Sequence, residues 1–456
     1  MLGRFTPTRT DVRGLLRLAL PMVAAQVGIM SLGVVDTIVV GHVSARELAG
    51  VSLGSLYVFG IAVSGMGTLW AIDPIVSQAM GAKDRDGVTL GIQRGLLLSL
   101  TLGVVMTVLC LPAPFVFSLM RQPPDVVPRA AGFVQVSAFG MVPLLLFSTL
   151  RQSLQAMKHT RAVLITIVFG NLVNLLFNWI FVFGHLGAPA SGAVGSAFSS
   201  VLGRWLMLGA LLWLSRRQLG PHLRPWRPQA FEREPLLRTL RLGLPIGAQT
   251  AIEFSTFAAI TVLAGWFGAE AMGGHQVAIN LASLTFMVPA GVGGAAAVLT
   301  GHAIGEGDIP HARRVAASAL CVGAGFMALS ALTLRAFPGT FARLYTNVPS
   351  VIALASALLP IAGVFQIFDG LQVVAAGILR GAGETRAALL SNLLGFYLIG
   401  TPVSLWFGFH EKMGVIGLWW GFVAGLVAVA GFLVWRVRIT LSREVARVQM
   451  DAPPHA

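Results

Sequence analysis

Residues 16–21 read LRLALP and residues 240–245 read LRLGLP, the same opening 224 positions later. The offset holds along the chain. Gly41 pairs with Gly265, and Ala79, Gly81 and Asp84 pair with Ala303, Gly305 and Asp308. Thr160-Arg161-Ala162 returns as Thr385-Arg386-Ala387 at an offset of 225, and Gly192-Ala193-Val194-Gly195 as Gly414-Val415-Ile416-Gly417 at 222. Shared composition alone does not keep register over such a distance, so the chain reads as a duplication.

Each copy opens a series of apolar runs. They fall near 15–40, 49–74, 91–117, 131–150, 162–184, 192–215, 243–267, 276–300, 314–337, 351–377, 387–409 and 414–436. A membrane-crossing helix needs about 20 mostly apolar residues. Six runs per copy is an even number, so both copies begin on the same side and are related by an axis along the membrane normal. The expected fold is an all-α polytopic membrane protein, with twelve transmembrane helices in two parallel-repeat six-helix lobes around a central cavity. Expected boundaries are a lobe over 1–215, a cytoplasmic linker over 216–241, a second lobe over 242–440 and a cytoplasmic tail over 441–456.

Composition supports this class and excludes others. Of 456 residues, 55% are hydrophobic and 11% charged, and the mean hydropathy is +0.79. A soluble domain carries about 25% charged residues, so a soluble enzyme, a disordered chain and a nucleic-acid-binding module are excluded. The net charge of +14 has a source other than nucleic-acid binding. With the N-terminus in the cytoplasm, 26 of the 32 Lys and Arg residues fall on the cytoplasmic side, Arg204 being placed there near a span end. That is the positive-inside pattern. The expectation is a monomeric, multi-pass protein of the plasma (inner) membrane, with both termini cytoplasmic and no nucleic-acid partner. The first apolar run lacks a cleavage site and reads as an uncleaved span. Cys110 and Cys321 both lie in apolar runs and suggest neither a disulfide nor a metal site.

Four of the eighteen acids lie within spans: Asp36, Asp73, Glu253 and Asp369. A charge at the bilayer centre costs at least about 2.5–3.5 kcal/mol, which makes each a functional candidate facing a cavity. Asp36 interrupts the apolar stretch SLGVVDTIVVG, where a carboxyl takes either a proton or a cation partner. On the fifth run, Asn171, Asn174 and Asn178 share one face. Their amide oxygens can complete a cation site with Asp36, or the side chains can act as glue between helices. Glu253 lies about ten residues into the seventh run, with Gln249, Thr250, Thr256 and Phe257 on its side. Asp369 has Phe365, Gln366 and Gln372 at helical spacing. Neither acid has an acidic counterpart in the first copy, and Asp36 maps onto Ile260, so the chemistry is asymmetric on a duplicated scaffold. Asp73 precedes Pro74 near a span end, where water and the helix terminus satisfy it. Pro21 and Pro245 hold matching places in the helices that open the two copies. No GxxxxGK[ST], HExxH or CxxC is present, which argues against ATP hydrolysis and against enzymatic chemistry. A lone histidine such as His275 reads as a packing or hydrogen-bonding residue.

The residues VVDTIVVGH around Asp36, AIEFSTFA around Glu253, GGHQVAINLASLTFMVP at 273–289, GHAIGEGD at 301–308 and FDGLQVVAAGILRGAGETR at 368–386 resemble the multidrug and toxic compound extrusion (MATE) transporters, on their NorM-like branch. The resemblance covers nearly the whole chain. It implies a secondary antiporter that exports cationic or amphipathic organic compounds by alternating access, driven by Na+ or H+, with no cofactor. It implies ion-coupling roles for Asp36, Asn174, Asn178, Glu253 and Asp369, with Na+ or H+ held at the three acids. Substrate binding falls to Glu253, Asp369, Phe257 and Gln366, and a conformational hinge to Pro21. The alternative is a lipid-linked precursor flippase or polysaccharide exporter built on the same two-lobe scaffold. The acidic charges within the membrane favour cationic cargo over pyrophosphate.

Overall fold

A computed structural model describes residues 6–120 and 123–451, the side chain of Ala45 excepted. Residues 1–5 and 452–456 lie outside that range, as do Arg4 and Arg121 of the charge count and the end of the expected tail. The described residues form helices and connecting turns, with no strand. Among the described residues eleven helices are long and apolar enough to cross a membrane, and one bent pair, taken as a single span, brings the number to twelve. In chain order they are α1 (Arg9–Gly41), α2 (Arg46–Gly81), α3 (Arg85–Cys110), the pair α4 (Val127–Ala138) and α5 (Met141–Ala156), α6 (Thr160–Phe181) and α7 (Gly192–Leu214). The second copy supplies α8 (Arg233–Trp266), α9 (Ala269–Gly305), α10 (Ile309–Ala336), α11 (Pro349–Gly381), α12 (Arg386–His410) and α13 (Val415–Ser442). The all-α, many-span expectation holds.

Three elements differ in detail from the apolar runs. The fourth run is two helices bent by 50° about Phe139 and Gly140. Helix α8 starts at Arg233, well before its apolar run; Glu234 in its first turn complements the helix dipole, and Pro235 fits there because it lacks an N–H. Helix α12 contains wide turns, in which the N–H of Thr401 reaches the carbonyl of Phe396 and that of Glu411 reaches Trp406.

The chain forms two compact units. One comprises the described residues up to Val23, Ser77–Lys83 and Ala248–Val448; the other comprises Ala24–Val76, the described residues of Asp84–Gly247 and those from Gln449. Helices α1 and α8 therefore change unit at Ala24 and Ala248, three residues after the matched Pro21 and Pro245. Leu15, Leu18, Ala19 and Met22 share a core with Val292, Ala295, Ala296 and Val374. In the other unit, Gly243 and Gly247 let α8 lie on the backbone and side chain of Thr68.

The repeat is also visible in local chemistry. Asp84 caps α3 by accepting from the N–H of Gly87 at 2.8 Å, and Asp308 caps α10 by accepting from the N–H of His311 at 2.8 Å. Just before these caps, a Cβ on Gly81 would strike the carbonyl of His302, and one on Gly305 the carbonyl of Gln78. Gln78 and His302 are themselves 224 apart, so the two contacts are reciprocal between matched positions of the repeat.

Candidate functional site

In the unit holding most of the first copy, Asp36 lies late in α1 and faces α6 and α7. Its Oδ1 accepts from Asn174 Nδ2 at 3.0 Å and Asn178 Nδ2 at 2.7 Å, and its Oδ2 accepts from Ser200 Oγ at 2.7 Å. The spacing of four on α6 delivers both amides to one level of the membrane. Asn174 and Asn178 are buried, and their Oδ1 atoms have no hydrogen-bond partner among the described residues. The carboxylate therefore has three neutral donors, with orphaned oxygens beside it.

Asn171 does not join this group. Its Nδ2 donates to the carbonyls of Gly28 and Ile167, both at 2.9 Å, tying α6 to the backbone of α1. Of the three asparagines read as one face, two face the acid and one is helix glue. Ser200 is a site residue that the sequence reading missed. Arg204, placed near a span end by its charge, stands in the middle of α7 one turn beyond Ser200. The signal was the four-residue spacing of Ser200 and Arg204 in an otherwise apolar run. Asp73 is buried in a polar cluster: with its amide turned to satisfy its neighbours, Gln152 donates to Asp73 Oδ1 at 3.2 Å and accepts from Trp70 Nε1 at 2.8 Å. Nearby Arg151 donates to Gln26 Oε1 at 3.1 Å.

In the other unit, Glu253 on α8 and Asp369 on α11 come within electrostatic range of each other. Asn392 Nδ2, one residue before the wide turns of α12, donates to Glu253 Oε2 at 3.4 Å, and the Gln372 side chain lies close to the same carboxyl. Asp369 is 4% exposed, and its Oδ1 has no partner among the described residues. Two carboxyl groups in so apolar a place repel unless a proton or a cation sits with them. Asn392 was not singled out from sequence, because only the fold brings α12 to α8.

Phe257, one turn after Glu253, packs 6.0 Å from Phe365 edge-on and 5.0 Å from Phe422, ring centre to ring centre. Gln366 accepts from Ser330 Oγ at 2.9 Å, and its buried Nε2 has no partner among the described residues. His275 is fully buried; its Nε2 pairs with Thr261 Oγ1 at 3.0 Å, and its ring lies 5.8 Å from that of Trp419. Pro21 sits inside α1, where it removes one backbone hydrogen bond. Among the described residues no three His, Cys, Asp or Glu side chains cluster as metal ligands. A cation at either acidic site would complete its shell with amide and hydroxyl oxygens.

The MatE family model matches residues 21–180 and 245–406, one match per copy of the repeat. The multidrug resistance protein NorM of Photobacterium profundum is 34% identical over 439 residues, which cover 94% of this chain and 96% of that protein. The probable multidrug resistance protein NorM of Geobacillus kaustophilus is 34% identical over 443 residues, covering 96% and 97%. In fold, the crystal structure of the eukaryotic MATE transporter AtDTX14 matches with a TM-score of 0.86 at 22% identity, over 94% of this chain and 96% of that one. With the repeat, the spans and these matches in agreement, the chain belongs to the MatE family of membrane transporters, on its NorM-like branch.

Proposed function

We propose that this protein is a secondary multidrug antiporter of the inner membrane. It exports cationic or amphipathic organic compounds in exchange for Na+ or H+ by alternating access. One observation carries the reading: each unit encloses its own carboxylate site among neutral side chains, half-buried Asp36 with two amides and a hydroxyl, and half-buried Glu253 beside buried Asp369 with the Asn392 amide. A carboxylate so enclosed binds a proton, an inorganic cation or an organic cation, and only one at a time. Such mutual exclusion couples the flow of one to the export of another.

In this reading Asp36, Asn174 and Asn178, with Ser200, hold the coupling ion in one unit. Glu253 and Asp369 serve both ion and substrate in the other. Phe257 and its aromatic neighbours offer the ring faces on which an organic cation gains about 0.5–2 kcal/mol per contact. Gln366 supplies a polar contact, and Pro21 supplies the flexible point of α1. The chain acts as a monomer, with both termini cytoplasmic and without enzymatic chemistry.

The test is accumulation of a fluorescent organic cation in cells lacking their own exporters, at matched membrane levels of each variant. Asp36→Asn, Glu253→Gln and Asp369→Asn should each lose export while still inserting. Full export by all three would sink the site assignment.

A further inference from the structure

We infer that Arg204 is a built-in counter-cation for Asp36 that competes with the coupling ion and sets how much Na+ or H+ the pocket requires. The inference rests on the reading of Asp36 as an ion-coupling residue.

Helix α7 runs Gly192–Leu214, which leaves Arg204 ten residues from its nearer end. At 1.5 Å per residue that is about 15 Å, too deep for the side chain to snorkel to the headgroups. Ser200, one turn earlier, donates to Asp36 Oδ2 at 2.7 Å, and Arg204 follows it on the same face of α7, beyond the 4 Å of a direct ion pair with the α1 carboxylate. Arg204 and Asp36 are within electrostatic range of each other. Its Nη1 is buried and has no hydrogen-bond partner among the described residues. The guanidinium lies against the bend between α4 and α5. There a Cβ on Gly140 would come within 2.8 Å of Nη1 and 3.2 Å of Cδ. A side chain at Gly140 would require the guanidinium to shift.

The titratable groups in reach of Arg204 are Asp36 on α1 and Cys110 on α3, with Tyr57 of α2 beside Cys110. A thiol and a phenol are neutral at physiological pH, so among the described residues Asp36 is the anion in reach of Arg204. With no ion bound, Asp36 and Arg204 cancel. A proton or Na+ on Asp36 leaves Arg204 as an uncompensated charge. Arg204 therefore opposes ion entry, and it favours ion release by restoring neutrality afterwards. It also spares the empty transporter an uncompensated carboxylate within the membrane during its return.

The experiment uses the full protein in liposomes and follows a fluorescent organic cation as Na+ and pH are varied. Arg204→Gln should lower the half-saturating concentration of the driving ion about tenfold, the effect of one unit charge within ~10 Å at an effective dielectric near 20. Arg204→Lys keeps the charge and should shift it less. An unchanged half-saturation in Arg204→Gln, with Asp36→Asn uncoupled, overturns this inference alone. Normal coupling in Asp36→Asn overturns the reading beneath it. If Arg204→Gln inserts poorly, the double variant Asp36→Asn/Arg204→Gln decides. Removing both charges should recover thermal stability, because a lone buried charge is what destabilises the single variant. A double variant no more stable than Arg204→Gln also overturns the pairing.

Discussion

Replacing Ser200 by Ala removes one of the three donors on the Asp36 carboxylate and little else. The bond lost is charge-assisted, at 2.7 Å, and of a kind worth about 1.5–3 kcal/mol. That energy is spent only on the bare carboxylate, since the donors compete with any incoming cation for the same lone pairs. For a proton, the loss makes binding easier by about ten- to a hundredfold. For Na+ the sign reverses, because the hydroxyl oxygen that would turn to coordinate the metal is also gone. Ser200→Ala should therefore shift half-saturating H+ down if the proton drives transport, and half-saturating Na+ up if sodium does. The assay is organic-cation transport by the reconstituted variant across a series of pH and Na+ values. No shift with either ion, at normal insertion, would refute the placement of the coupling ion at Asp36.

Other outcomes follow from single contacts. Asn171→Ala loses two backbone hydrogen bonds and should cost about 0.5–1.5 kcal/mol per bond, while leaving ion dependence at the wild-type value; thermal melts with transport titrations separate the two effects. Gly377→Ala would press a Cβ onto the backbone of Gly293 between α11 and α9; overpacking of about 1–3 kcal/mol should appear as a lower melting temperature, and an unchanged one would contradict that packing. His222, in the segment before α8, pairs with Thr89 at 2.8 Å. Burial, then Arg227 and Arg85, hold its imidazole below the ordinary histidine range. Protonation thus favours the undocked segment, so docking is full above about pH 6.5 and weakens as pH falls through that value. Hydrogen exchange over residues 220–231 should speed up on acidification in the wild type but not in His222→Gln.

The parts of this protein legible in its sequence are those written in local pattern. Apolar runs gave the spans, the LRLxLP pair gave the duplication, and isolated acids marked both polar sites. Asp84 and Asp308 were visible as a repeated pair, and their capping role follows from position at a helix start. What stayed hidden depends on which helix faces which. Asn171 and Asn174 look alike at helical spacing, yet one meets a carbonyl of α1 and the other a carboxylate. Asn392 carries no signal of its own until α12 is set beside α8, and Ser200 carries only its four-residue spacing from Arg204. The exchange of helix halves at Ala24 and Ala248 was hidden too, since Pro21 and Pro245 mark a weak point without saying what each half packs against. Arg204 was misplaced because a counting rule for loop charges cannot tell a mid-helix arginine from one at a membrane surface.

The central claim is exchange, and one measurement addresses it most directly. Purified protein is placed in liposomes, a Na+ gradient or a pH gradient is imposed alone, and movement of a fluorescent organic cation is followed. The account predicts transport that depends on one of the two gradients and disappears in Asp36→Asn. Transport of the cation under neither gradient, by protein shown to be folded, would contradict it and turn attention to lipid-linked sugar cargo.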